Sequence, residues 1–182
     1  MSPRSLRLPH AALAVAALLP LAGCSSGQKK VAPVCPQLSL LQDAVDLTRF
    51  SGPPDAPQDA RTLVLAARIA AVPAKCEDGA PGEVRARLTV LAQLRRGPAA
   101  AGDTAQVPYF IAVTEGDQVL SEHDHMLGVK FPPNADQVTA TGGEVVLNLP
   151  VTKTRTAAAY HLYVGFRLTP AELAYNRQTH PD

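Results

Sequence analysis

The sequence has no tryptophan and few other aromatics, four tyrosines and four phenylalanines in 182 residues. An aromatic platform for stacking sugar rings is therefore not expected. Charge of one sign is missing too, with 17 basic and 16 acidic residues. The longest basic runs are the pairs Lys29-Lys30 and Arg95-Arg96, so there is no basic stripe of the kind that neutralises nucleic-acid phosphates. No G-x-S-x-G elbow, no C-x-x-C pair and no H-x-x-x-H spacing occurs, which removes the usual sequence marks of a serine hydrolase, a redox pair and a helical zinc site. Gly142-Gly143 has neither the lysine nor the following helix that a phosphate cradle needs, and reads as a turn. The carboxylates are scattered, with none marked as a catalytic pair.

Apolar runs are short. The longest, Ala11 to Leu19, has nine residues before Pro20, whereas crossing roughly 30 Å of hydrocarbon takes about 20 in a helix. Arg4 and Arg7 precede this run, and the small residues of Leu21-Ala22-Gly23 follow it. Residues 1–23 thus read as an export signal rather than a membrane span. Leu21-Ala22-Gly23-Cys24, directly after the apolar run, resembles the lipobox of bacterial lipoproteins. That resemblance implies a diacylglyceryl group on the Cys24 thiol, cleavage before Cys24 and acylation of the new amine. Two or three acyl chains anchor stably where one holds weakly, so the membrane would be a partner through lipid on Cys24. Ser25 stands where lipoproteins kept in the inner membrane often carry aspartate, which points to the outer membrane, facing the periplasm. Residues 24–34 then form the lipidated N-terminus and a tether of at most about 33 Å, with Lys29-Lys30 near anionic headgroups. Residues 35–182 form a single domain. Without Arg4 and Arg7 the remainder carries 15 basic and 16 acidic residues, and no nucleic-acid partner is expected.

Two cysteines remain, Cys35 and Cys76. In an oxidising compartment such a pair is most simply a disulfide. Closing a loop of 41 residues is worth about 4 kcal/mol on a chain-entropy estimate.

Leu40, Leu41, Ala44 and Leu47 have helical spacing, yet Gln37 to Leu41 could equally form a first strand. Pro53, Pro54 and Pro57 make Ser51 to Ala60 a loop. Beyond it the period is two. Leu63, Leu65, Ala67, Ile69 and Ala71 share one face of a strand that ends near Pro73. Val84, Ala86, Leu88 and Val90 alternate with Arg85, Arg87 and Thr89, as in a strand with one face in water. Val107 to Val113 is apolar on both faces, which predicts a central strand. Glu115-Gly116-Asp117-Gln118 turns into a strand at Val119, and Thr141-Gly142-Gly143-Glu144 links Val138–Ala140 to Val145–Leu149. Tyr160, Leu162, Val164, Phe166 and Leu168 line the last strand. Thr169, Pro170 and Glu172 predict a capped C-terminal helix ending near Arg177. About seven short strands and one helix suggest an antiparallel β-sandwich, with an open barrel as the second choice.

The densest polar cluster is Glu122-His123-Asp124-His125. On a strand His123 and His125 would share one face, and with His161 from another strand they could ligate zinc or copper. The alternative is solvated polar residues on an edge strand. Ser121 lies near both histidines, but adjacent strand residues face opposite ways, so no Ser–His pair is expected. Tyr163, between His161 and Arg167, is a candidate interface residue unless a helix or loop covers it. Asp46-Leu47-Thr48-Arg49-Phe50, Pro108-Tyr109-Phe110-Ile111-Ala112-Val113 and Gly165-Phe166-Arg167-Leu168-Thr169-Pro170 together resemble a group of small envelope lipoproteins of Gram-negative bacteria. That resemblance implies an envelope location and carries over no activity and no catalytic residue. The expectation is a lipid-anchored protein with a binding or scaffolding role towards other envelope proteins, no enzyme and no cofactor. The alternative is a periplasmic metal-handling lipoprotein using His123, His125 and His161.

Overall fold

A computed structural model describes residues 33–53 and 56–179. The expected export signal, Cys24 and the part of the expected tether before residue 33 lie outside the described residues. The chain folds into antiparallel layers, an open β-sandwich rather than a closed barrel. One layer has the order β1 (Gln37–Leu40), β11 (Tyr160–Phe166), β7 (Thr104–Glu115), β8 (Gln118–Lys130). Only the β1–β11 pairing in it is parallel.

The facing layer is built from longer passes of chain that bend. β3 (Leu63–Ala71) runs on into β4 (Ala74–Asp78), β5 (Glu83–Leu88) into β6 (Leu91–Arg96), and β9 (Gln137–Thr141) into β10 (Val145–Pro150). Each bent pass gives one strand to a four-stranded sheet, β2-β3-β6-β9, and one to a three-stranded sheet, β10-β5-β4, where β2 is Asp46–Phe50. Among the described residues eleven strands form where alternation suggested about seven: the bends add β4 and β6, and the ambiguous segment before residue 51 adds β1 and β2. The bends lie side by side. Thr89 N donates to Pro73 O at 3.1 Å and Gly142 N donates to Val90 O at 2.8 Å, so backbone pairing continues through the corner. Proline lacks an N–H and cannot continue a central ladder, which places the first bend. Glycine at 142 leaves room for the opposite layer: a Cβ there would lie 3.0 Å from the Tyr109 hydroxyl.

One apolar core fills the space between the layers, with Leu47, Ile69, Leu88, Ile111, Leu162 and Phe166 nearly or wholly excluded from water. The expected alternation holds strictly in β5, where Val84, Ala86 and Leu88 are buried and Arg85 and Arg87 face out. Arg87 bonds Glu77 at 2.9 Å and Glu144 at 2.7 Å across that outer face. The ambiguity over residues 37–47 resolves as two strands, β1 and β2, joined by a 3-10 turn at Gln42–Ala44. Burial decides it: Leu47 completes the core from β2, and a helix could not supply the edge pairing with Leu63–Arg68.

Cys35 and Cys76 are joined, with Cα atoms 5.5 Å apart. The bond ties the segment entering β1, the end strand of one layer, to β4, the end strand of the other. One flank of the sandwich is therefore covalently closed.

The C-terminal helix, α1, spans Pro170–Thr179. Its capping box forms as expected, with Thr169 N donating to Glu172 at 2.8 Å and Glu172 N donating to Thr169 Oγ1 at 3.2 Å. Its docking is unusual because the buried residues are polar, Glu172 and Asn176. Glu172 also accepts from Arg49 on β2 at 3.0 Å. The Asn176 amide donates to Asp43 O at 2.8 Å and Asp46 O at 2.7 Å, and Tyr175 packs edge-on against Phe50. Asn176 is 4% exposed, and its removal takes the amide donor from two carbonyls of half-buried residues. Asn176→Ala is expected to cost about 1–3 kcal/mol, read as a lower urea midpoint at an unchanged slope. Loss below half a kilocalorie would show that the helix is not held by this contact.

Candidate functional site: the open flank between β8 and β10

Strand β8 pairs with β7 in a register that sets His125 opposite Tyr109, Asp124 opposite Phe110, His123 opposite Ile111 and Glu122 opposite Ala112. Tyr109 and Ile111 point into the core, so His123 and His125 lie on the inner face. Glu122 and Asp124 lie outside. There Arg167 holds both carboxylates, donating to Asp124 at 2.9 Å and Glu122 at 2.5 Å while its guanidinium sits 4.4 Å from the Phe110 ring centroid. The acidic half of the cluster is an outer-face ion pair.

His161 is flanked by Tyr160 and Leu162, both buried in the core, so its own side chain faces the opposite way. Its Nε2 shares a 2.8 Å hydrogen bond with Ser39 Oγ, and its ring stacks on Tyr163 with centroids 4.3 Å apart. The structure therefore brings His123 and His125 together and leaves His161 on the other side of the same sheet. Among the described residues no group of three or more His, Cys, Asp or Glu is placed to hold a metal ion. Tyr163 is half-buried, and its stacking partner is His161 on the same strand rather than a helix or loop.

The inner face of β8 changes character along its length. Leu127 and Val129 are buried; Ser121, His123 and His125 instead line an open cleft of about 750 Å³ facing β10. Ser121 and His123 are two residues apart and share this face, which corrects the expectation that they point apart. Among the described residues, however, no hydrogen bond joins Ser121 to either imidazole. Neither ring bonds a carboxylate that could orient it as a base. Val145, Leu147 and Leu149 of β10, with Val113 and Tyr160, supply the apolar surface of the cleft. Its rim carries two exposed apolar side chains, Leu120 at 43% and Val146 at 42%. Glu144 and Arg155 also line it, and both are paired: Glu144 with Arg87, and Arg155 with Glu115 at 3.2 Å.

His125 is the central polar group. Its ring stacks on Tyr109 with centroids 5.2 Å apart, and its Nε2 is buried without a hydrogen-bond partner. Burial pushes its pKa below the usual value, His123 adds to the lowering, and Asp124 partly opposes it. An apolar lining, a few convergent polar groups and a perturbed titration together make this the candidate site.

The histidine cluster was visible as a motif, but its inward orientation and the β10 wall were not. The outward apolar residue Val146, in a strand that otherwise alternates cleanly, was the available signal. The chain matches no family model, no curated protein and no solved structure. Its class is thus the one that fold and site define: an antiparallel β-sandwich stapled on one flank and open on the other.

The lowered pKa of His125 fixes a pH dependence. The unfolded chain binds the proton more readily, near pH 6.5, than the folded one. The stability that neutral His125 contributes is present above about pH 6.5 and is lost as pH falls through the lower folded value. Urea melts at pH 7 and pH 5 should show a larger loss for the wild type than for His125→Gln. Equal losses would mean that the imidazole is not held neutral.

Proposed function

We propose that the chain is a lipid-anchored protein of the bacterial envelope, held on the membrane through Cys24, whose sandwich binds a partner at the open flank and catalyses no reaction. The observation that carries the binding role is the change along β8. Three inward positions that should be apolar and covered are polar and open, opposite an apolar wall. Catalysis is not favoured because a nucleophile needs a base in hydrogen-bond contact and a group that orients that base. The cleft offers a serine and two imidazoles without those contacts. The anchoring rests on Leu21-Ala22-Gly23-Cys24 and its place behind the apolar run. No helix among the described residues is long and apolar enough to cross a membrane, and lipid on Cys24 would supply attachment in its place. The outer membrane, facing the periplasm, is the proposed location.

Cells fed labelled palmitate should label the wild type and not Cys24→Ser, and the variant should leave the membrane fraction or remain uncleaved. An unlabelled wild type, with Cys24→Ser still sedimenting with membranes, defeats the anchoring. For binding, a photoreactive residue is placed at Val146 or, as a control, at the exposed Arg61. Irradiation of intact cells should give a discrete adduct from position 146 alone. Identical patterns from both positions would remove the flank as the contact surface.

A further inference from the structure

Resting on the flank as binding site, we infer that its occupant is an extended, uncharged polypeptide segment of a partner, added as a strand to the free edge of β10. All six residues of β10, Val145 to Pro150, line the cleft. Successive strand residues point to opposite faces, so a cleft touched by all six views the strand from its edge. The edge is where alternate backbone N–H and C=O groups project away from the existing ladder. β10 is the end strand of its sheet and pairs only with β5, while β8 across the cleft is the end strand of its own layer and pairs only with β7. Both walls thus present unpaired edges, and an extended chain is the ligand whose hydrogen-bonding groups repeat at that spacing.

Side chains and charge narrow the choice. On one side of the occupant, alternate residues would continue the core layer of Val145, Leu147 and Leu149. On the other they would meet the exposed side chain of Val146, with exposed Leu120 also at the rim. The fixed charges around the cleft are already satisfied, Glu144 by Arg87 and Arg155 by Glu115. A charged segment would find no counter-ion there, whereas a neutral one meets no penalty. His123 and His125 line the β8 side of the cleft and add uncharged polar surface there when neutral. Six residues at roughly 3.3 Å each make a segment about 20 Å long.

The test uses the full-length protein in detergent and phage-displayed random heptapeptides. The best peptide is made in two forms, unmodified and with the amides of one edge N-methylated, which keeps every side chain and deletes one row of donors. The unmodified form should bind saturably, and N-methylation should weaken it at least about tenfold. Val146→Lys, an exposed edge position where lysine blocks pairing, should weaken it as much. Val119→Lys, also exposed and outside the cleft, should not. Equal binding of the N-methylated form, with the Val146→Lys loss retained, keeps the flank as the site and overturns strand addition. Binding unaffected by Val146→Lys overturns the flank itself. Failure to select any peptide, or self-association with concentration that Val146→Lys abolishes, also overturns the inference, the latter in favour of a second copy of the chain.

Discussion

Three long strands turn a corner at the same level, and backbone hydrogen bonds run straight across it from Pro73 to Thr89 and from Val90 to Gly142. The corner is half-buried, with Val90 inside and Pro73 exposed, and the bonds keep the Thr89 and Gly142 amides paired beside the core. Keeping them lets one layer wrap around Tyr109 without losing a ladder. The geometry of the rest follows. Beyond the corner the layer continues as β10-β5-β4, and its end strand β10 stands off from β8 instead of pairing with it. The cleft is the gap that a bent layer leaves when it faces a straighter one.

The two flanks of the sandwich are treated differently. On one, Cys35–Cys76 joins the entry to β1 with β4, removing loop entropy from the unfolded chain. On the other, no covalent or backbone bond joins β8 to β10 among the described residues. The C-terminal helix reinforces the first arrangement. Asn176 and Glu172 fasten it to β2 and to the 3-10 turn through directional hydrogen bonds rather than an apolar stripe. The N-terminal strands are thereby fixed from two directions. An exposed edge strand usually invites aggregation, and inward polar residues and neighbouring charges are common protections. The inward His123 and His125 and the Arg167-bound carboxylates on the outer face are groups of that kind, and the two histidines also place polar atoms in a cleft walled by leucine and valine.

Much of the fold was legible because alternation is a local signal. Val84 to Leu88, Val107 to Val113 and Tyr160 to Phe166 each show which face meets the core, and the Thr169–Glu172 box marks a helix start. Two features escaped. Residues 40–47 fit a helical period as well as a strand, since both readings place Leu47 inside and only its partners on β3 separate them. The continuation of Leu63–Ala71 into Ala74–Asp78 looked like an ending, because proline signals a stop and says nothing of whether a pass resumes beyond it. Of the site, the histidines and their shared face were readable, since period two is intrinsic to a strand.

Composition, the cysteine pair, the strand period and the helix cap were thus determined by the sequence itself, because each depends on neighbours a few residues apart or on simple presence. Which side of the sheet His161 takes relative to His123 and His125, that Arg167 claims Glu122 and Asp124, and that β10 faces β8 across a gap were decided by the tertiary structure alone. These contacts join residues about 20 to 45 positions apart, and their partners are set by register and by the shared bend. No local pattern encodes either one.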